Sequence, residues 1–149
     1  MKQQELEQFM RLALEQAKAA FEEDEVPVGA VVIKDGAVIS KAHNRCMALH
    51  DMTAHAEFLA MREAAGLLGG RLTGCVLYVT LEPCAMCAGA ALNYRLTDLV
   101  YGAYDPESGC CGSVADITDH WFPLSLRSIG GILEKECSAL LTSFFKTKH

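Results

Sequence analysis

The amino-acid sequence predicts a three-layer α/β/α domain, in which helices flank a mixed central sheet of about five strands. Segments with helical periodicity alternate along the chain with segments rich in β-branched residues. One pair of strands is joined by a tight turn, whereas later strands are joined through helices, so the sheet is expected to contain antiparallel and parallel pairs. The chain has 149 residues, of which 51% are hydrophobic, which is enough for a sizeable core.

The first elements are an amphipathic helix and a β-hairpin. Over residues 5–21, apolar side chains recur at the three- and four-residue spacing of a single helix face. Residues 28–33 (VGAVVI) are rich in β-branched side chains, and the Lys-Asp-Gly of residues 34–36 supplies a turn before a partner strand at 37–39. This order predicts that the sheet begins with an antiparallel pair.

The middle of the chain predicts a helix followed by a strand, a helix and a strand. Residues 55–70 favour a helix because they are rich in Ala and Leu, and a Gly-Gly pair ends it. Residues 75–80 (CVLYVT) predict a buried strand, 85–93 a helix that begins just after a proline, and 98–101 another strand. Two strands that are joined through a helix indicate a parallel pair.

The last third of the chain predicts a loop, a short strand and a final helix. Residues 102–112 contain three glycines and one proline and predict the loop, 126–129 predict the strand, and about 134–145 predict the helix. No repeat, linker or low-complexity segment interrupts this order. Residues 1–149 are therefore expected to form one domain.

Composition and charge restrict the class of protein. The chain has no run of about 18 apolar residues, and its N-terminal segment carries Glu and Gln where a signal peptide needs a continuous apolar block. We therefore expect a soluble, cytoplasmic protein. The formal net charge of −6 argues against broad adhesion to nucleic acid, although a local basic patch is compatible with one specific RNA.

The strongest local signal is the PCAMC segment at residues 83–87. Cys84 and Cys87 are three positions apart and open a predicted helix, so both thiols can reach one ion. A helix N-terminus also favours thiolates, which are the form of cysteine that binds metal. A redox dithiol and an incidental pair use the same spacing, so this segment alone leaves three interpretations open.

His55 favours the metal interpretation. Two Cys and one His give three protein ligands and leave the fourth tetrahedral position to water, as in catalytic zinc sites. A second CxxC or a His pair would indicate a closed structural site, and the sequence carries neither. The sequence therefore predicts an open zinc site.

The other cysteines are expected to remain reduced. Seven cysteines without an export signal do not indicate a disulfide framework. Cys75 and Cys137 fall on a predicted strand and a predicted helix, where a small buried hydrophobe is expected. Cys110 and Cys111 lie in the polar, glycine-rich DPESGCCGS loop, where exposure is expected. The sequence assigns no role to these two or to Cys46.

Glu57 lies two residues after His55, in the first turn of the predicted helix. A carboxylate beside a metal-activated water can take its proton and pass it to a leaving amine. The alternative is a solvated carboxylate that the helix dipole favours. Residues two apart face away from each other on a regular helix, so the two side chains converge only if both point along the axis at the helix start.

These motifs resemble those of a known family. TAHAE at residues 53–57 and LEPCAMCAGA at 81–90 resemble the His-x-Glu and Pro-Cys-x-x-Cys signature of the cytidine deaminase superfamily. EVPVGAVV, the His-Asn-Arg at 43–45, LYVTLEPC and the terminal TSFFK are similar to the bacterial tRNA adenosine deaminases within it. The resemblance runs from the first helix to Phe145 and implies a cytidine deaminase-like fold.

The resemblance implies a role for each matched residue. His55, Cys84 and Cys87 match the ligands of one zinc ion (Zn2+) per chain. Glu57 matches the proton shuttle, and Asn44 matches the residue that hydrogen-bonds the base. Further positions near the substrate, implied in the same way, are Pro27, Val28, Ala54, Glu82 and Phe144.

The activity implied by the resemblance is hydrolytic deamination of the wobble adenosine of tRNA, at anticodon position 34, to inosine. Zinc-generated hydroxide would attack the amino-bearing ring carbon while Glu57 moves protons. The implied partners are the anticodon stem-loop of an arginine tRNA and a second copy of the chain, rather than DNA or a membrane. A base in a single-stranded loop can be splayed into a pocket at little cost.

Three segments depart from the family pattern. Residues 121–125 (WFPLS) lack the Asn-His pair that the family usually carries there. Cys46 and Met52 stand where proline is frequent, and only two lysines follow the terminal aromatic pair. These departures keep open a deaminase of a free base or nucleoside, of the guanine or cytosine type. A noncatalytic zinc module is a third interpretation, which the presence of Glu57 disfavours.

Overall fold

The structure is a computed structural model and describes residues 1–119 and 123–148. The helices in this part of the chain are α1 (Gln3–Glu22), α2 (Ala56–Leu68), α3 (Ala85–Asn93) and α4 (Glu134–Lys146). The strands are β1 (Gly29–Lys34), β2 (Ala37–His43), β3 (Cys75–Leu81), β4 (Asp98–Ala103) and β5 (Arg127–Ile129). None of these helices is long and apolar enough to cross a membrane.

The five strands form one mixed sheet in the order β2-β1-β3-β4-β5. β1 is antiparallel to both β2 and β3, whereas the pairs β3–β4 and β4–β5 are parallel. The connection from β3 to β4 passes through α3, as a parallel pair requires. The predicted mixed sheet is therefore confirmed.

A two-residue turn joins β1 to β2. Asp35 and Gly36 both have positive φ, at 50° and 77°. A turn of this kind matches the right-handed twist of the flanking strands, which is why an Asp-Gly pair favours a hairpin. β2 continues to His43, beyond the predicted end at residue 39, and thereby carries the chain to Asn44.

Helices pack on both faces of the sheet, which gives the three predicted layers. Strand side chains alternate between the faces. Val31 belongs to a buried cluster with α1 and with Cys137 of α4, whereas Val32 belongs to a cluster with α2 and with Ala88 of α3. Cys75 and Cys137 are buried, as the sequence predicts.

β1 lies directly against α1 at Gly29. A methyl group on this residue would overlap the carbonyl oxygen of Ala13 and the backbone nitrogen of Ala17. The N–H of Gly29 donates a hydrogen bond to Oγ1 of Thr80, 3.1 Å away on β3. The absence of a side chain at Gly29 thus sets the separation between α1 and the sheet.

Two expectations about the loop after β4 are wrong. β4 continues to Ala103, so the first residues of the predicted loop are strand. Cys110 is half-buried and Cys111 is buried, although both were expected to be exposed. The loop folds back on itself, because Cys111 forms an isolated β-bridge with Asp116 and its carbonyl oxygen accepts a hydrogen bond from the Tyr101 hydroxyl.

β5 completes the parallel side of the sheet. Arg127 donates a hydrogen bond from Nε to Oδ1 of Asp98 at 2.7 Å, which ties β5 to the start of β4. Trp121 and Phe122, where the expected Asn-His pair is missing, lie outside the described residues.

Candidate active site

The starts of two helices meet near the carboxyl end of β3. His55 is the N-cap of α2, and Cys84 is the N-cap of α3, which follows β3 closely in the chain. Ligand sites in open α/β sheets commonly lie outside the carboxyl ends of the strands. Residues that are distant in sequence are therefore brought together by two helices packed on the same face of the sheet.

The three predicted ligands direct their donor atoms to one point. Nδ1 of His55 lies 3.7 Å from Sγ of Cys84 and 3.6 Å from Sγ of Cys87. Zn–S bonds of about 2.3 Å and Zn–N bonds of about 2.0–2.1 Å at tetrahedral angles separate nitrogen and sulfur by about 3.6 Å. The observed distances therefore fit a zinc ion. No further His, Cys, Asp or Glu of the described residues joins this group.

The thiols and the imidazole influence one another strongly. Hydrogen bonds from Cys87, and secondarily from His55, lower the pKa of Cys84 to about 4, although burial opposes this. The hydrogen bond to Cys84, together with burial, raises the pKa of Cys87. The hydrogen bond to Cys84 also raises the pKa of His55. Cys84 is thus favoured as a thiolate, the form that binds metal.

The backbone conformation of His55 and its surroundings help to orient the imidazole ring. The backbone of His55 is extended rather than helical, with φ −74° and ψ 147°. Side chains two residues apart diverge only when both residues are helical. The side chains of His55 and Glu57 can therefore point to the same site. The nearby backbone of Met52 also raises the pKa of His55, after the larger contribution of the hydrogen bond to Cys84. Backbone groups close to the ring help to orient a metal-binding imidazole.

Glu57 is buried beside the predicted ligands, with 4% of its surface exposed. Burial raises the pKa of its carboxyl group to about 7, and the hydrogen bond with Cys87 and the charge of His55 oppose this rise. A carboxyl group of this pKa can both accept and return a proton near neutral pH. The alternative of a solvated surface carboxylate is wrong for this residue.

Asn44 links the end of β2 to the start of α2. Its Oδ1 accepts a hydrogen bond from the backbone N–H of Ala56 at 2.7 Å. This contact satisfies one of the free N–H groups in the first turn of the helix. Because the side-chain oxygen is held in this way, the NH2 group of Asn44 is left as a donor for the cavity that the residue lines.

A cavity of about 510 Å³ lies over the two helix starts. This volume is within the range of small-molecule sites. Seven residues that the sequence singled out line it: Val28, Asn44, His55, Glu57, Glu82, Cys84 and Phe144. Pro27, Ala54 and Cys87 are buried, and they are not among the described residues that line the cavity.

The remaining lining residues are ones to which the sequence gave no role. They come mainly from the end of α1 and from two loops, residues 44–54 and 104–113, which we name rim loop 1 and rim loop 2. The place of the two loops in the chain could have indicated these lining residues. Rim loop 1 joins Asn44 to His55, and rim loop 2 follows β4 at the edge of the sheet where Cys84 lies. They include Asp24, Glu25, Cys46, Met47, Met52, Asp105, Ser108 and Lys148.

Glu82 directs its carboxylate toward rim loop 2. Oε1 accepts a hydrogen bond from the N–H of Asp105 at 3.0 Å. Oε2 accepts hydrogen bonds from the N–H groups of Cys111 at 3.1 Å and of Ser113 at 3.0 Å. The Ser113 hydroxyl donates to Oε1 as well. Four hydrogen bonds therefore occupy both carboxylate oxygens.

The sequence matches a family model over more than half of its length. The model describes the cytidine and deoxycytidylate deaminase zinc-binding region, and it matches residues 3–103. This range contains His55 and Glu57 at the start of α2 and both Cys84 and Cys87 at the start of α3. The match therefore covers every residue of the proposed metal site.

Curated relatives match over nearly the whole chain. The tRNA-specific adenosine deaminase of Bacillus subtilis (strain 168) is 43% identical over 142 residues, which are 94% of this chain and 88% of the relative. That of Aquifex aeolicus (strain VF5) is 44% identical over 151 residues, with 94% and 93% covered.

Solved structures share the fold. A structure from a study of A-to-I editing by tRNA:A34 deaminases at the wobble position of transfer RNA matches with a TM-score of 0.85 and 45% identity, covering 90% of this chain and 99% of that one. A guanine deaminase from Nitrosomonas europaea matches with a TM-score of 0.82 and 25% identity, covering 93% and 83%. The chain therefore has the cytidine deaminase-like fold and belongs to the family of zinc-binding cytidine and deoxycytidylate deaminases.

Proposed function

We propose that the protein is a tRNA adenosine deaminase, which hydrolyses the wobble adenosine at anticodon position 34 to inosine and ammonia. In this proposal residues 1–149 form one deaminase domain that acts in the cytoplasm, where its tRNA substrate is found. The main support is a three-ligand metal site beside the buried Glu57, in a cavity large enough for a nucleobase. The two relatives with 43% and 44% identity are tRNA-specific adenosine deaminases, which favours tRNA as the substrate.

His55, Cys84 and Cys87 are the zinc ligands in this proposal. When it is bound, zinc supplies Lewis acidity, which makes water a nucleophile near neutral pH. Cys84 and Cys87 open α3 and His55 caps α2, so the partial positive charge of both helix starts favours the thiolates. With three protein ligands, one tetrahedral position remains for solvent.

Glu57 moves the protons. It takes one proton from the attacking water while the oxygen bonds to C6 of adenine, and it delivers that proton to N1. It then transfers the proton of the new hydroxyl group to the amino nitrogen, the C–N bond breaks, and ammonia leaves. Its burial keeps the carboxylate beside the reacting atoms and limits proton exchange with bulk water.

Asn44 orients the base. Its side-chain NH2 group donates to a ring-nitrogen acceptor such as N7, which lies on the same edge as the adenine amino group. Val28 and Phe144 supply apolar surface along the cavity for the faces of the ring. Held in this way, the base presents its amino-bearing carbon to the nucleophile.

We further propose an arginine tRNA as the substrate and a homodimer as the active form. The homodimer is supported by a shallow apolar cleft on the outer side of α2 and α3, lined by Phe58, Met86, Ala90 and Tyr94. Light scattering should give twice the mass of one chain. Met86→Glu should shift the protein toward the monomer, because a charge in an apolar interface is costly to desolvate. A monomeric wild-type protein would contradict this proposal.

Product analysis tests the proposed substrate. The zinc-loaded protein is incubated with an arginine tRNA anticodon stem-loop, with the same stem-loop carrying guanosine at position 34, and with free adenosine, guanine and cytosine. We expect inosine from the first substrate and no comparable product from the others. Glu57→Gln is the inactive control.

The free-base alternative is tested in the same experiment. It is supported by the structural match to the Nitrosomonas europaea guanine deaminase at 25% identity. Conversion of guanine or cytosine, without inosine from the stem-loop, would overturn the tRNA proposal and favour this alternative. It would leave the proposed roles of the zinc ligands and Glu57 in place.

A further inference from the structure

Two buried carboxylates in the cavity wall take no part in the chemistry described above. Glu25 and Glu82 are each only 2% exposed. No ion pair joins either of them to a Lys, Arg or His within residues 1–119 and 123–148. A buried charge without a partner is strongly unfavourable, so other groups must compensate both carboxylates.

Backbone N–H groups of the rim loops supply this compensation. Glu25 accepts hydrogen bonds from the N–H of Met47 at 3.0 Å and of Ala48 at 2.8 Å, both in rim loop 1. Glu82 accepts the four hydrogen bonds from rim loop 2 described above. Successive N–H groups that converge on an anion form a strong local site for negative charge. Each carboxylate therefore holds one rim loop.

Both carboxylates are themselves anchored to regular structure. Glu25 follows α1, and its N–H donates to the carbonyl oxygen of Ala20 at 2.9 Å. Glu82 follows β3, and its N–H donates to the carbonyl oxygen of Ala103, in the neighbouring strand, at 2.9 Å. The rim loops are thus fastened to a helix end and a sheet edge.

The held loops in turn touch the metal site. Rim loop 1 leads directly into His55, whose backbone N–H donates to the carbonyl oxygen of Thr53 in this loop at 2.8 Å. In rim loop 2, the N–H of Cys110 donates to the carbonyl oxygen of Pro83, directly before Cys84, at 2.9 Å. The loops also contribute side chains to the cavity wall. A loop that moves would therefore change the shape of the cavity around the base.

Gly109 shows how closely rim loop 2 fits around Glu82. A methyl group on Gly109 would overlap Cδ of Glu82, and its distance to Oε1 would be 2.5 Å. Glycine is therefore required at this position if the carboxylate is to reach the N–H groups of the loop. This contact provides a second way to disturb the arrangement without changing Glu82.

We propose that Glu25 and Glu82 are positioning residues, which hold rim loops 1 and 2 at a fixed separation and so set how tightly the cavity binds the target base. The kinetic test of this inference rests on the proposed function, because it measures KM for the tRNA stem-loop. Neither residue contacts the reacting atoms. Their loss should therefore weaken substrate binding more than it slows the chemical step.

Isosteric variants test the proposal. In both variants an NH2 group, which cannot accept a hydrogen bond, replaces one carboxylate oxygen. In Glu82→Gln this group faces two donors of rim loop 2, and in Glu25→Gln it faces one donor of rim loop 1. Hydrogen bonds to charged groups are strong enough that we expect KM for the stem-loop to rise at least about tenfold in each variant. The rise should be larger for Glu82→Gln. We expect kcat and zinc content to change much less, at a temperature where both variants are folded.

Asp98→Asn is the matched control. Asp98 is also a buried carboxylate, but its partner is Arg127, at the other end of β4. We expect this variant to lower the melting temperature and to leave KM unchanged. If Glu25→Gln and Glu82→Gln also lower the melting temperature and leave KM unchanged, their role is structural and the proposal is wrong.

Amide hydrogen exchange provides a test that does not depend on the substrate. Glu25→Gln should accelerate exchange at Met47 and Ala48, and Glu82→Gln should accelerate it at Cys111 and Ser113. If Glu82→Gln does not fold, Ser113→Ala and Gly109→Ala are measured in its place. We expect Ser113→Ala to raise KM less than predicted for Glu82→Gln, and Gly109→Ala to raise it by a comparable factor. Unchanged exchange would overturn the proposal. If the wild-type protein forms no inosine but the two variants show these exchange changes, only the proposed function is contradicted.

Discussion

At the scale of single residues, the site consists of side chains placed where helices begin. The first turn of a helix has N–H groups without partners and a partial positive charge, which favour carboxylates and thiolates. Glu57 and Cys87 lie in such first turns, and Asn44 caps the N–H of Ala56. The same positions therefore serve helix stability and the proposed chemistry.

Glu57→Gln should separate catalysis from metal binding. The substitution keeps the size of the side chain and removes its ability to accept and return protons. We expect kcat for inosine formation to fall by about 10²- to 10⁴-fold, as for the loss of a general acid–base group. Metal analysis should still find about one zinc per chain. Wild-type turnover in this variant would exclude Glu57 as the proton shuttle.

Asn44→Asp tests the proposed donor to the base. An aspartate still accepts the hydrogen bond from Ala56, so α2 keeps its cap, but it cannot donate to a ring nitrogen. We expect kcat/KM to fall about tenfold or more, with a melting temperature close to that of the wild type. Gln4→Glu, at the exposed start of α1, makes the same amide-to-carboxylate change outside the cavity and outside the apolar cleft of the proposed dimer. Equal effects of the two substitutions on kcat/KM would contradict a specific role for Asn44.

The spacing of residues predicts part of the site and not the rest. His55, Cys84 and Cys87 could be singled out because metal ligands have restricted identity and spacing, and the structure brings their donor atoms together. Glu25 and Glu82 could not be given their present partners from the sequence. Those partners are backbone N–H groups distant in the chain, and backbone groups carry no sequence signal.

At the scale of secondary structure, the sequence predicts the type and order of the elements because each has its own periodicity. α3 is found at its predicted bounds, and its start follows a proline. β4 and β2 are longer than predicted because the neighbouring strands extend the pairing past the residues with strong strand preference. The burial of Cys111 depends on how rim loop 2 folds around Glu82, which local composition does not encode.

Gly29→Ala tests the direct contact between α1 and β1. The added methyl group must displace backbone atoms of α1, so we expect the free energy of unfolding to fall by about 1–3 kcal/mol. Gly66→Ala, within α2, is the matched control, because a methyl group there meets nothing within 4 Å beyond its sequence neighbours and the backbone of its own helix. Alanine is more favourable than glycine in a helix interior, so the free energy of unfolding of this control should rise by roughly 0.5–1 kcal/mol. Urea denaturation measures both, and equal effects would exclude the close contact.

At the scale of the whole molecule, the metal site connects two separate helices. The ligands of α2 and α3 are about thirty residues apart in the chain, with separations of 29 and 32 positions from His55 to the two cysteines. A metal that binds the folded protein and not the unfolded chain stabilises the fold by mass action. Zinc should therefore act as a bridge between the two helices.

Removal of zinc should lower the stability of the whole domain. If free zinc exceeds the dissociation constant about 1,000-fold, it contributes about 4 kcal/mol, and its removal should lower Tm by roughly 10 °C. Scanning calorimetry with and without a chelator measures this change, and added zinc should reverse it. Cys84→Ser should start with the lower Tm and show no further response to the chelator. An unchanged Tm of the wild-type protein would contradict the bridge.

The acidic wall of the cavity determines which ligands can enter it. Of the described residues that line it, five are acidic and one is a lysine: Asp24, Glu25, Glu57, Glu82, Asp105 and Lys148. Lys148 is already paired with Asp24, so these six side chains offer no free cation to a phosphate group. The sugar-phosphate chain of a polynucleotide must then stay outside while a single uncharged ring passes inward. An inhibitor made for this enzyme should accordingly be neutral or cationic, and a 5′-phosphate on it should weaken binding.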